Sequence, residues 1–189
     1  MMDWLKGLYI VHYCHRNCEP LKNIMRLPRE EAFALAKELA RCNPGETAFG
    51  RFADFEYYYP ERLEVDRRLY QRFIQLGGRP EQEHPLSFVL EGSEMLDGWF
   101  GHGVTIRMPL SSIPAEFVSF TYGDSMTVTK RRGDFAMLTK DALAEAIKER
   151  GGVERFLDEV KEEYRYIEVQ VWKDGLIQAK KALDKPDGA

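Results

Sequence analysis

Cysteine and histidine are scarce in this chain, and long apolar runs are missing. With three cysteines and four histidines among 189 residues, a disulfide framework is excluded and the room for a metal site is small. Cys14, Cys18 and Cys42 cannot all pair, and such a count points to a reducing compartment, so a cytoplasmic protein is expected. The apolar stretch near the N-terminus, Leu8 to Val11, is cut short by His12. No small-residue cleavage site follows it, so it is expected to be a first strand rather than a leader. Nothing approaches the 18 or more apolar residues of a membrane span, and no membrane partner is expected. A basic excess is also missing: 27 Lys and Arg stand against 31 Asp and Glu, a net charge of −4, which argues against nucleic acid as a partner. Lys130-Arg131-Arg132 is too short a run to reverse that. There is no P-loop, no Rossmann glycine pattern and no His-Glu-x-x-His, so no cofactor and no metal are expected.

What is present is a globular composition, 44% hydrophobic and 31% charged, in a length that suits one domain. Residues 1–182 are read as that domain and 183–189 as a frayed tail. Strands are expected at 8–14, 85–90, 104–110, 117–121 and 166–172, with 135–138 as a neighbour of 117–121. Pro109 marks the strand at 104–110 as an edge. Helices are expected from Pro28 to the stop at Asn43-Pro44-Gly45, from Pro60 to Gly77-Gly78, briefly at 93–99, from the Thr139 cap to Arg150, and over 153–164. In the second of these, Leu63, Leu69, Tyr70, Phe73, Ile74 and Leu76 form the inward side. Arg62, Asp66 and their charged neighbours are expected to face water. Strands and helices mix without βαβ alternation. The fold class is therefore α+β: one domain, a mixed or mostly antiparallel sheet, about four to five helices packed on it.

Several constellations carry chemistry. His12, Cys14, His15 and Cys18 lie within seven residues and offer soft donors, but not as the two separated pairs of a closed zinc site; whether they hold a metal stays open. The run 49–59 adds Phe52, Phe55, Tyr57, Tyr58 and Tyr59 to Arg51 and Asp54 and shows no clear period. It is read as a loop between helices whose rings line a cleft and whose Arg51 grips an anionic group. His84 and the glycine-flanked His102 are candidates for the wall of that cleft, with Asp124. Candidate ligand-binding residues are thus Arg51, Asp54, Tyr58, His84, His102 and Asp124. Glu168 and Gln170 share one face of the last strand, read as the solvated face of an edge strand. The expected function is a cleft for a small anionic ligand. An alternative is an interaction protein whose exposed aromatics, Tyr57 to Tyr59, form a homodimer or partner surface.

Three resemblances bear on this. The segment ending in Gly123-Asp124-Ser125 is similar to the nucleophile block of the GDSL hydrolases. That family implies a histidine downstream, whereas the last one here is His102, so the segment is read as a turn bonding its own backbone. The blocks Phe49-Gly-Arg-Phe-Ala-Asp-Phe55, Ser119-Phe-Thr-Tyr-Gly-Asp-Ser125 and Tyr166-Ile-Glu-Val-Gln-Val-Trp172 resemble bacterial families without an assigned function, which transfers no catalytic residue. Tyr9, His12 and Glu168, with the segment 17–24, resemble places in ADP-ribosyltransferase-like domains. That likeness implies NAD as substrate and Glu168 as the catalytic carboxylate.

Overall fold

A computed structural model describes residues 4–176. Six strands, β1 (Tyr9–Cys14), β2 (Leu86–Leu90), β3 (Val104–Pro109), β4 (Val118–Tyr122), β5 (Met137–Leu138) and β6 (Ile167–Val171), form one sheet in the order β3-β1-β2-β6-β4-β5. Every pairing among them is antiparallel. Among the described residues seven α-helices of a full turn or more accompany it: α1 (Arg29–Cys42), α2 (Gly50–Ala53), α3 (Phe55–Gln75), α4 (Glu94–Trp99), α5 (Ser125–Arg132), α6 (Lys140–Glu149) and α7 (Val153–Tyr164). The class is α+β. Among the described residues no helix is long and apolar enough to cross a membrane.

The alternation of β6 sets the layers. Ile167, Val169 and Val171 lie on one face, with Leu86, Phe88 and Leu90 of β2 and Val118 and Phe120 of β4. Leu143, Ala146 and Ile147 of α6 and Phe156 and Val160 of α7 close that face into the main core. The opposite face carries Glu168 and Gln170 of β6 beside Ser119 and Thr121 of β4 and Ser87 of β2. Its apolar end is Trp172, packed with Val65, Leu69 and Phe73 of α3 and with Met126, Phe135 and Met137. A third cluster joins Ala32 and Ala36 of α1 to Phe49, Phe52 and Phe55.

Two stretches differ from the sequence expectation. Residues 49–59 are not a loop: α2 occupies Gly50–Ala53, and α3 starts at Phe55, five residues ahead of the proline expected to open it. Phe52, Phe55 and Tyr59 repeat at helical spacing. Phe33 of α1 meets Phe55 at 5.0 Å and Tyr59 at 5.1 Å between ring centroids. That packing outweighs the hydrogen bond Pro60 withholds. The second stretch is 125–132, a helix rather than a turn. Asp124 caps it by accepting from the Thr127 amide at 2.7 Å, and Lys130, Arg131 and Arg132 sit in its last turn, complementing the dipole. It ends at Gly133 with φ 76°, a left-handed cap that glycine adopts at little cost. Along α3 the assignment of faces also shifts: Ile74 and Leu76 are exposed, while Arg62 and Asp66 are buried.

One close approach yields a prediction. A Cβ placed on Gly103 would stand 2.4 Å from the Cys14 carbonyl oxygen and 2.8 Å from the Arg16 amide nitrogen, both backbone atoms. Gly103→Ala is expected to destabilise the fold by about 1–3 kcal/mol through forced backbone shifts, read as a lower urea midpoint at unchanged m.

Candidate functional site

The polar face of the sheet is sealed by α3 and the start of α5, and it holds charge. Relative exposure is 7% for Arg62, 0% for Asp66, 4% for Glu168 and 0% for Gln170. Arg62 and Asp66 are four apart on α3, so both turn to the sheet. The Arg62 guanidinium lies 2.7 Å from Asp66 Oδ1, and the other carboxylate oxygen, Oδ2, is 2.7 Å from His84 Nδ1. An acceptor there assigns the proton to Nδ1, so the Nε2 edge points away from Asp66. The His84 side chain keeps 17% of its surface open. This is the arrangement in which a carboxylate fixes tautomer and ring orientation for a base.

Glu168 sits deeper. Its Oε2 accepts from the Ser125 amide at 2.8 Å, at the N-terminus of α5, and lies 3.4 Å from the Thr121 hydroxyl. Its Oε1 accepts from the Ser87 hydroxyl at 3.4 Å. The chain continues along the sheet: Gln170 Nε2 donates to Thr121 Oγ1 at 2.9 Å, Ser119 Oγ to Gln170 Oε1 at 2.8 Å, and Trp172 Nε1 to Ser119 Oγ at 2.9 Å. Burial above all, then the charge of Asp124, pushes the Glu168 carboxyl above the usual carboxylate range. Arg62 and the bond from the Ser125 amide act in the opposite direction. The same field reaches the neighbours. Burial opposes the charge on Arg62, but Asp66, Tyr58, Glu168 and Asp124 raise its pKa. Burial, Asp124 and Glu168 raise the Tyr166 phenol. Arg62 therefore feels the charges of Asp66, Glu168 and Asp124 together.

Ser87 is the opening. It lies in β2, third of six strands, and is exposed, although its neighbours Leu86 and Phe88 are buried. Its side chain shares the polar face with Gln170, its ladder partner, so the strip of that face beside Glu168 meets solvent. A cavity of about 360 Å³ runs farther along the same two helices, between Pro60, Glu61 and Val65 of α3 and Met126, Thr129 and Lys130 of α5.

The residues named from the sequence fall into two neighbourhoods. Tyr58, His84 and Asp124 join the layer: His84 through Asp66, Tyr58 and Asp124 through Arg62. Arg51 belongs elsewhere: its guanidinium lies 4.8 Å over the Phe52 ring and 6.0 Å from that of Phe100, and its charge acts on Cys18. His102, on the turn after Phe100, pairs with Asp97 at 2.7 Å and is exposed, with φ 48°. Asp54 is exposed and occupies the residue before α3, where its carbonyl accepts from the Tyr58 amide at 3.0 Å. Glu168 and Gln170 are not on a solvated edge: β6 lies between β2 and β4, and both side chains are buried. Of the possible metal donors, His12 is committed to backbone. Its Nε2 accepts from the Leu21 amide at 3.1 Å, so Nδ1 carries the proton donated to Ser87 O at 2.9 Å, and burial lowers its pKa. Among the described residues no three His, Cys, Asp or Glu side chains are grouped to hold a metal ion. Sequence reasoning missed Arg62 and Asp66. The available signal was Val65-Asp66 and Leu69 continuing one apolar stripe around a charged pair.

No family model matches the chain, and no curated protein or solved structure matches it either.

The Glu168 environment carries a pH prediction. A carboxyl raised above its unfolded value stays protonated in the folded state over a pH range where the unfolded chain has lost the proton. Its contribution is fully present below the unfolded pKa and is lost as pH rises through the folded one. Urea midpoints of the wild type are expected to fall from the ordinary carboxylate range upward. Glu168→Gln, which keeps an acceptor for the Ser125 amide, is expected to remove that part of the slope.

Proposed function

We propose that the chain is an acid–base enzyme acting on a small molecule bound over the open strip at Ser87. Glu168 exchanges the proton, and His84, oriented by Asp66, offers a second hydrogen-bonding group on the far side of Arg62. The observation that carries this reading is the exposed serine in the middle of the sheet whose hydroxyl touches a buried carboxyl of raised pKa. A carboxyl that holds its proton above the usual carboxylate range is suited to donate it, and clusters of perturbed groups concentrate at functional sites. The local charge favours a ligand with cationic or hydrogen-bond-donating groups, because Asp66 and Asp124 face one guanidinium and Glu168 keeps its proton. The anion-binding role drawn from Arg51 has a separate place in this proposal: the thiol of Cys18 is already the acid that Arg51 serves. The likeness to ADP-ribosyltransferases gives Glu168 a specific partner, and NAD is accordingly the first ligand to try.

The test is conversion of pooled metabolites, NAD included at millimolar concentration, followed by mass spectrometry. Comparison proteins are Glu168→Gln and Ser87→Leu, the latter filling the strip. Wild-type protein is expected to consume at least one compound, with a loss of about 10²–10⁴-fold in Glu168→Gln. Equal turnover in that variant ends the reading. Failure to bind NAD removes the transferase form of it alone.

A second reading, a homodimer or partner surface, is favoured by α4 and the edge strand β3. No residue of α4 is buried, and Met95, Trp99 and Val104 are exposed there. Light scattering separates the two, since a strict monomer at high concentration leaves that surface without a second copy.

A further inference from the structure

The end of β1 holds two thiols on one turn. Cys14, the last residue of the strand, is buried, and Cys18 is half-exposed. The Cys18 amide closes the turn on the His15 carbonyl at 2.9 Å. The Cys14 Sγ donates back into the turn, lying 3.4 Å from His15 O and 3.5 Å from Cys18 O. The loop carrying Gly101 and Gly103 clamps this turn from behind. Arg16 Nη2 donates to Gly101 O at 3.0 Å, and the space beside Gly103 is filled by the Cys14 carbonyl and the Arg16 amide. The turn is therefore held with the Cys14 sulfur against the Cys18 backbone. The groups bearing on Cys18 are Cys14 from β1 and Arg51 from α2. The neighbouring Cys14, first, and the Arg51 guanidinium bring its thiol down to about 7 against the effect of burial. The neighbouring Cys18 and burial push the Cys14 thiol up. The pair is thus asymmetric: one accessible thiol ready to ionise, one sequestered thiol behind it. That is the layout of a reactive cysteine beside a resolving one.

We propose that Cys14 and Cys18 form a dithiol site that reacts with low-molecular-weight disulfides and closes to an intramolecular disulfide. The Cys18 thiolate attacks one sulfur of the small disulfide, a Cys18–S–S bond forms, and one small thiolate leaves. Cys14 gives up its proton and attacks the Cys18 sulfur, a Cys14–Cys18 bond forms, and the second small thiolate leaves. Two protein thiols are oxidised, one small disulfide is reduced to two thiols, and the protons pass to the leaving thiolates. This inference is independent of the acid–base reading, because no residue of the Glu168 layer takes part.

The test uses the full chain and oxidised glutathione, with acid quenching, alkylation of remaining thiols and peptide mass spectrometry. In the wild type, Cys14 and Cys18 are expected to disappear together without retained glutathione, while exposed Cys42 keeps a mixed disulfide. Cys14→Ala is expected to trap glutathione on Cys18. Since Cys14 is buried and that variant can fail to fold, the wild-type product is the deciding measurement. Glutathione retained on wild-type Cys18, or Cys18 left unmodified while Cys42 reacts, overturns the proposal. A second measurement is the pH profile of iodoacetamide labelling. Cys18 is expected to show a midpoint near 7 and several-fold faster labelling than Cys42 at neutral pH, with the midpoint raised in Arg51→Gln. An unchanged midpoint in Arg51→Gln, or one shared by Cys18 and Cys42, counts equally against it.

Discussion

Arg62→Met is expected to destabilise the folded protein by about 3–5 kcal/mol, the largest effect of any single charge removal in the chain. The reason is what it leaves behind. Asp66 is fully buried, and its carboxylate is held by Arg62 at 2.7 Å and by His84 at 2.7 Å. Without the guanidinium, that carboxylate must either keep its charge without its strongest partner or take up a proton, and Glu168 loses its compensating cation as well. Pairs on the surface behave differently. Arg67–Glu64 and Arg41–Glu38 have comparable distances, 2.8 Å and 2.7 Å, yet more than half of each side chain is exposed. Removing either is expected to leave the urea midpoint close to that of the wild type, because solvent screens both partners. The double variant Arg62→Met/Asp66→Leu is expected to regain much of the loss, because a buried pair replaced by apolar residues of similar volume is often close to neutral. Urea unfolding of the two single variants and the double one forms the cycle. Additive losses would show that the pair is not coupled.

How far the sequence could anticipate this molecule depends on what decides each element. Elements set by local signals were legible. The Thr139 cap, bonded to the Ala142 amide at 3.2 Å, the glycine pair closing α6 and the alternation of β6 needed no knowledge of the rest of the chain. The α+β class followed from their order. Elements decided by distant contacts were not. Pro60 is a local signal for a helix start, and it was outweighed by Phe33, which reaches Phe55 and Tyr59 from another helix. The short α5 depends on Asp124 as its cap, a residue whose sequence reads equally as a turn. The site was hidden for a related reason. Charged residues on a helix are usually solvated, so Arg62 and Asp66 look like an outer face. Only the polar side of β6 lying under α3 gives them a reason to turn inward. Conversely, Glu168 and Gln170 look like a wet edge because strand order cannot be read from one strand. Of the six residues proposed from the sequence, His84 bonds Asp66, and Tyr58 and Asp124 act on the Arg62 charge. Arg51 lies against Cys18, Phe52 and Phe100 instead, and no spacing in the sequence separates these two neighbourhoods.

Trp172→Ala is expected to cost about 3–5 kcal/mol, comparable to Arg62→Met but by a different route. Trp172 is fully buried at the apolar end of the polar face. Its ring stacks on Phe73 with centroids 5.5 Å apart and an interplanar angle of 17°, and meets Tyr70 edge-on at 6.0 Å. Its backbone ties three segments together: the amide donates to Phe117 O at 3.0 Å, and the carbonyl accepts from the amides of Glu81 and Gln82 at 3.0 and 3.2 Å. Truncation to alanine leaves those backbone bonds possible and removes the ring, so a cavity opens between α3 and the sheet. The indole also terminates the hydrogen-bond chain that runs through Ser119, Gln170 and Thr121 to Glu168. Trp172→Phe separates the two contributions. It keeps most of the stacking but drops the N–H donated to Ser119, and is expected to lose clearly less stability than alanine. If the chain from Trp172 to Glu168 orders the site, the phenylalanine variant also changes the pH slope of stability assigned to Glu168. If the indole is packing alone, the urea midpoint falls and that slope stays as in the wild type. Urea midpoints across pH for the three proteins decide between these outcomes.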